Sequence, residues 1–301
     1  MKRIRNLSAF FVFSMMIGLT GLFTWLCWQQ AMQFVEVPQI VNNLTPADYG
    51  IENYDEVTLL TEDNLRLRGW YIAPNREDGA TIIFLHGHGG YINDLIPEAI
   101  LYTNMGYGAL LFDFRGHGAS DDAIVTMGIN EVMDVQAGID FLLTQSAVNP
   151  ERIALYGNSM GASVALLSAE QIPEIRMIIA DAPYSSIDDA LVDGIPQQMG
   201  IPALFFPDII IAMSNYLSGE DFYTASPIAS IADLQIAVLF IHGTNDNRIP
   251  YTHSEALFSL ANEPKQLYIV EGGEHTNNYE YDVETYEAIV IPFLEQYLAE
   301  N

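Results

Sequence analysis

The sequence predicts an α/β fold: a mostly parallel sheet of about eight strands, helices on both faces and a helical lid insertion, preceded by one N-terminal transmembrane helix. Three observations carry this expectation. From residue 80 onward, short and nearly continuous apolar runs alternate with helix-like segments, the pattern of buried parallel strands joined by crossover helices. More than fifty residues separate two successive runs, "RMIIADA" (176–182) and "IAVLFIHG" (236–243). A connection that long in a compact α/β domain marks an insertion with a job. Finally, Leu7 to Trp28 is a run of 22 residues without a charge. As a helix it is about 33 Å long, enough to cross a bilayer.

That N-terminal run is preceded by Lys2, Arg3 and Arg5 and carries Trp25 and Trp28 near its far end. The positive-inside rule then puts the N-terminus in the cytoplasm and everything after residue 30 outside, as a single-pass protein of the cell membrane. The competing reading is a cleaved signal peptide and a secreted domain. Such a peptide has a shorter apolar region and small residues at the cut. Here "QQAMQFVEVP" offers Ala31 but no A-x-A pair, so an uncleaved anchor is favoured. Residues 1–30 are therefore read as the anchor and 31–53 as a linker, whose "FVEVPQIVNNLTPADYG" has two prolines and no helical period. Residues 54–301 form the main domain. The one cysteine, Cys27, falls in the apolar run and reads as a lipid-facing filler; no intrachain disulfide is possible.

Within the domain, "EVTLLT" (56–61) and "LRLRGWYIA" (65–73) form a hairpin about the turn-like "EDN". The buried strands are "ATIIFLHG" (80–87), "GALLFDF" (108–114), "RIALYG" (152–157), the two runs named above, and "KQLYIVEG" (265–272). Helices fit at 94–105, 128–146, 160–171, 252–262 and 281–299, and the lid at about 184–223 includes the apolar "GIPQQMGIPALFFPDIIIAMSNYL".

Charge excludes some functions. All three basic residues of the first 35 precede Glu36, the first acid, which leaves eight basic against 39 acidic residues, a formal −31. Such a surface repels phosphate backbones, so no nucleic-acid partner is expected. No metal site is expected either. "HGHGG" puts two histidines two apart on a strand end, where they face differently, and no H-x-x-x-H helix occurs.

In an open α/β sheet the chemistry collects at the carboxyl ends of the strands, and three of those ends carry reactive residues. The first is "GNSMG" (157–161), between an apolar strand and an apolar helix. A strand that turns straight into a helix needs glycines on both sides and pushes Ser159 to the tip. The second end leads into "IHGTNDNRIP" (241–250) with Asp246, and the third into "VEGGEHTNN" (270–278) with His275. Serine needs a base to take its proton, imidazole serves, and a carboxylate fixes the imidazole tautomer. Asp181, at the end of the preceding strand, is the rival acid. The glycine-rich "FLHGHGG" (84–90) supplies preplaced donors: the backbone N–H of His88, together with that of Met160, is the expected oxyanion hole. The remaining histidines read as structural: His86, His117 (in a turn held by Arg115 and Asp113), His242 and His253.

The chain from about residue 54 to 299 resembles an α/β-hydrolase of the serine-esterase or lipase type, closest to a membrane-anchored group. The resemblance rests on "LHGHGG" (85–90), "DFRGHGAS" (113–120), "GNSMG" (157–161), "HGTNDNRIP" (242–250) and "GGEH" (272–275), in that order. It implies the α/β-hydrolase fold and an acyl-enzyme on Ser159, with His275 as base, Asp246 as its orienting acid and no cofactor. The implied substrates are small-molecule or lipid esters, thioesters included. A serine peptidase or amidase of the same fold, and a non-catalytic binding module, remain alternatives, and the oligomeric state is open.

Overall fold

The computed structural model describes residues 2–200 and 202–298, with side chains from residue 10 onward except at 198 and 199. The side chains of Lys2, Arg3 and Arg5, and residues 299–301 at the expected C-terminal end, therefore lie outside what is described. Eight strands form one sheet: β1 (Asp55–Leu60), β2 (Arg66–Ile72), β3 (Thr81–Leu85), β4 (Gly108–Phe112), β5 (Ile153–Asn158), β6 (Ile175–Asp181), β7 (Ala237–Gly243) and β8 (Lys265–Val270). Their order is β1-β2-β4-β3-β5-β6-β7-β8. The β1–β2 hairpin and the β2–β4 pair are antiparallel, and every other pairing is parallel.

The described helices are α1 (Lys2–Val35), α2 (Ile96–Asn104), α3 (Glu131–Leu143), α4 (Met160–Ala169), α5 (Ile187–Met199), α6 (Phe206–Ser218), α7 (Pro227–Ser230), α8 (Thr252–Leu260), α9 (Asn278–Tyr281) and α10 (Val283–Tyr297). Two-residue alternation along the strands divides the core between the faces of the sheet. Ile83, Leu110, Leu155 and Phe240 pack on one face with residues of α1, α3, α4, α5, α6 and α8. Ile82, Leu111, Tyr156 and Leu239 pack on the other with residues of α2 and α10. The lid stretch holds α5 and α6, each closed by a left-handed glycine, Gly200 and Gly219.

The N-terminal helix differs from the sequence expectation in two ways. It runs past residue 30 to Val35, so Ala31–Val35 are helical rather than linker, and Cys27 faces protein rather than lipid. The reason is spacing. Cys27, Ala31 and Val35 fall four residues apart on one helix face, and all three are buried against the body of the protein. The Val35 carbonyl also accepts the Val125 N–H at 2.9 Å, which ties the end of the helix to the loop after β4.

β3 connects through α2 to its neighbour β4, whereas β5 connects through α4 to β6 on the other side. The order therefore reverses between β3 and β5, which opens a crevice at their carboxyl ends. The strand end carrying "HGHGG" and the one carrying "GNSMG" meet at this point, with Leu85 paired to Gly157.

Under that crevice, the α2/α10 face buries an unusual set of polar groups. Glu98 accepts from the Tyr156 hydroxyl at 3.5 Å, its other carboxyl oxygen has no partner among the described residues, and Tyr102 and Tyr286 pair at 3.4 Å. Burial pushes the Glu98 carboxyl up to about 8. Folded protein then holds a proton there that unfolded chain releases above about pH 4.5, so stability falls as pH rises through 8. Glu98→Gln removes this dependence. Its Tm is expected to match wild type near pH 5 and to exceed it increasingly towards pH 9. Each pKa unit of the difference is worth about 1.4 kcal/mol, or roughly 3–5 °C in a domain of this size. Thermal melts across that range that stay parallel would contradict the assignment.

Candidate active site

The turn between β5 and α4 explains why Ser159 is presented as it is. A Cβ on Gly157 would collide with the backbone of Gly161, and one on Gly161 would collide with the Leu85 carbonyl of β3. The two glycines let α4 press against the sheet, and the chain reverses only by taking Ser159 to φ 53°, ψ −120°. That left-handed backbone is strained for a residue with a side chain, and such strain clusters at functional sites. The Ser159 N–H is held by the Asp181 carbonyl at 2.8 Å.

His275, in the loop after β8, reaches back to this tip: its Nε2 lies 2.9 Å from Ser159 Oγ. Its Nδ1 lies 2.6 Å from Asp246 Oδ2. With Nδ1–H donating to the carboxylate, Nε2 is left as the acceptor for the serine proton. Asp246 is itself pinned, since its Oδ1 accepts the N–H groups of Arg248 (2.8 Å) and Ile249 (2.9 Å). Burial alone would raise this carboxyl. Hydrogen bonds from His242 and His275 more than offset that and hold it well below the usual carboxylate range, so it stays ionised.

His242 was not legible as a site residue. Its Nε2–H points at the Ile249 carbonyl (2.8 Å) and at Asp246 Oδ2 (3.2 Å), while Nδ1 accepts from the Ser254 hydroxyl at 2.8 Å. It braces the carboxylate that faces His275. Its only sequence signal was a histidine one residue before the glycine that ends β7.

The rival acid does not reach the imidazole. Asp181 Oδ1 accepts from Asn278 at 2.6 Å and Oδ2 has no partner among the described residues. Burial pushes it up to about 7. It sits beneath the turn and contributes its backbone carbonyl to it.

The "HGHGG" turn runs alongside the serine. A Cβ on Gly87 would come within 3.2 Å of Ser159 Cβ, which explains glycine there. Three imidazoles hold the turn. His86 donates through Nδ1 to the Gly87 carbonyl at 2.8 Å and accepts the Phe114 N–H at 3.0 Å. His117 donates through Nδ1 to the Arg115 carbonyl at 2.8 Å and accepts the Gly89 N–H at 3.1 Å. His88 donates through Nε2 to the Phe34 carbonyl of α1 at 3.1 Å. Burial lowers all three, His117 to about 4, which keeps them neutral and able to both donate and accept. Arg115 is locked by the buried Asp134 and by Asp63. The backbone N–H groups of His88 and Met160 have no intramolecular acceptor among the described residues. Among them no group of three or more His, Cys, Asp or Glu side chains is arranged so that it could hold a metal ion.

A cavity of about 420 Å³ opens on Ser159 and His275. Its walls come from Met127, Tyr184 and the α5 residues Ile187, Leu191 and Ile195, with Gln30, Gln33 and Phe34 of α1 closing one side. Arg248 lines it and also lines a smaller groove that shares Ser159, His88 and His275 with it. The apolar wall of α5 faces convergent polar groups, among them Gln30, Gln33, Arg248 and His275, a mixed lining that can hold an apolar group and orient a polar one.

Comparison with known proteins adds a family. The model of the prolyl oligopeptidase family matches residues 95–301. Protein YfhR of Escherichia coli O157:H7 is 31% identical over 234 residues, covering 75% of this chain and 74% of its own. The esterase Pf2001 of Pyrococcus furiosus superimposes with a TM-score of 0.73 at 25% identity, over 88% of this chain and 98% of that one. The acylaminoacyl peptidase of Pyrococcus horikoshii superimposes with a TM-score of 0.66 at 20% identity, over 84% of this chain but 43% of the peptidase.

Substitution separates the two acids. Asp246→Asn is expected to lower kcat by about 10⁴-fold, the loss typical of removing the carboxylate that orients a base. Asp181→Asn is expected to change it by less than about tenfold, because its carboxyl does not touch His275. Steady-state kinetics on a chromogenic ester distinguishes them, and the reverse ranking would transfer the role to Asp181.

Proposed function

This chain belongs to the prolyl oligopeptidase family of α/β-hydrolase serine hydrolases, and we propose that it cleaves carboxylic esters through an acyl-enzyme on Ser159. The observation that carries the reading is the continuous hydrogen-bonded chain from Ser159 Oγ through His275 to Asp246. In the proposed mechanism His275 Nε2 takes the Ser159 proton as Oγ attacks the ester carbonyl. The imidazolium formed is stabilised by the ionised Asp246, which keeps its charge throughout. The N–H groups of His88 and Met160 receive the oxyanion, and the dipole of α4, whose N-terminus follows Ser159, favours negative charge there. His275 then protonates the departing alkoxide. Water repeats the sequence on the acyl-enzyme and frees the acid and Ser159.

The choice of ester over peptide rests on extent of likeness and on the cavity. The esterase likeness runs over nearly the whole of both chains, whereas the peptidase likeness covers less than half of the peptidase. The apolar wall of α5 suits an acyl chain better than a polar peptide backbone, whose N–H and C=O groups would need partners. Lipid esters and thioesters fall within this reading.

We infer further that α1 stays attached and crosses the membrane, with the catalytic domain on the outer side. Residues Phe10–Val35 are long and apolar enough to span it. The burial of Ala31 and Val35 against the domain supports retention, because the region where a signal peptide would be cut is part of the packed structure.

The test compares a p-nitrophenyl ester with the matching p-nitroanilide. Wild type is expected to favour the ester in kcat/KM, and Ser159→Ala to lose at least about 10⁴-fold of kcat. A preference for the anilide would support the peptidase reading. An unaffected Ser159→Ala variant would overturn the mechanism.

A further inference from the structure

The same helix that is read as the membrane anchor forms one wall of the cavity containing Ser159, and this relation fixes where the cavity sits relative to a bilayer. The inference rests on the reading of α1 as a retained span. Trp25 and Trp28 mark the outer interface of that span, the level at which indole rings settle. Phe23 lies five residues before Trp28, about 7 Å deeper along a helix rising 1.5 Å per residue. α6 packs along α1, and the Phe206 ring that begins it meets Phe23 at a centroid distance of 4.6 Å. The two residues immediately before it, Leu204 and Phe205, are each 72% exposed. An apolar loop tip thus faces outward at a depth below the aromatic belt.

In the opposite direction, Gln30, Gln33 and Phe34 line the cavity. They follow Trp28 by two to six residues, about 3–9 Å further out, at headgroup level. Phe23 is therefore about 10–16 Å deeper than these cavity residues, and its depth below Trp28 falls within the roughly 5–10 Å to which interfacial apolar elements sink.

We propose that the tip of the lid, Leu204 and Phe205, dips into the outer leaflet, and that the cavity draws its substrate from that leaflet. The substrate class is then an ester resident in the bilayer, with its scissile carbonyl at the boundary between headgroups and acyl chains. Attachment is apolar. The formal −31 of the chain beyond residue 35 opposes any electrostatic docking on anionic headgroups, so insertion should persist on zwitterionic lipid and at high salt.

The experiment uses full-length protein reconstituted one copy per nanodisc of phosphatidylcholine. An environment-sensitive fluorophore is attached at Phe205→Cys, the native Cys27 being buried. Its emission should shift to the blue and be quenched by nitroxide-labelled lipid, equally at low and high salt. Emission typical of water and unaffected by the quencher would overturn the proposal. So would burial seen only when discs carry two copies, which would make the tip a contact between chains.

Activity gives a second readout. Leu204→Asp/Phe205→Asp should lose at least tenfold on a long-chain ester embedded in the disc and keep wild-type rates on a water-soluble short-chain ester. Equal effects on the two substrates would contradict leaflet access. If wild type hydrolyses neither, the ester reading fails, while the fluorescence still decides whether the tip enters the leaflet.

Discussion

The contact on which the rest of the structure depends is the close approach of α4 to the ends of β3 and β5. It exists because Gly157 and Gly161 carry no side chain, so the helix can begin directly against the Leu85 carbonyl. The cost is a serine held at φ 53°, offset by the packing of a helix buried along nearly its whole length. From that one constraint follow the exposure of Oγ, the position of the Met160 N–H and the space into which His275 reaches. The crevice itself exists because the strand order reverses there.

Around this turn the protein uses neutral imidazoles where a charged group would be costly. His86, His88 and His117 are buried, and each spans a gap between backbone segments by donating from one nitrogen or by donating and accepting at once. A buried imidazole is cheaper neutral than charged, and burial keeps these so. His242 does related work at Asp246. The acid that faces His275 is thereby held ionised, while Glu98 and Asp181 beneath it are pushed towards the protonated form. The same linkage runs through α1: the His88 ring is held by the Phe34 carbonyl, so the end of the N-terminal helix supports the turn that carries the His88 N–H.

Much of this was legible in the sequence because strand ends announce themselves. Nearly continuous apolar runs, most of them closed by glycine or aspartate, located six of the eight strands to within a few residues, a turn-like "EDN" between two β-like runs located the other two, and Ser159, Asp246 and His275 sat just past three of the strand ends. What was not legible depends on side chains meeting across the fold. Nothing local distinguishes His242 from a histidine kept for backbone shape; only its distance to Asp246 does. The separation of Asp246 from Asp181 likewise needed geometry, since both follow apolar strands. The apolar character of Leu7–Trp28 predicted a helix, but composition alone hid the stripe of Cys27, Ala31 and Val35. That stripe, spaced at four residues, packs the helix end on the domain and carries it to Val35.

The central claim is that Ser159 is a nucleophile activated by His275. Treatment of the native full-length protein with a fluorophosphonate, followed by peptide mapping, tests it most directly. The account predicts one adduct per chain, on Ser159, formed at a rate that collapses in His275→Ala although Ser159 is still present. Absence of labelling in folded wild type, or an adduct on another residue, would contradict it.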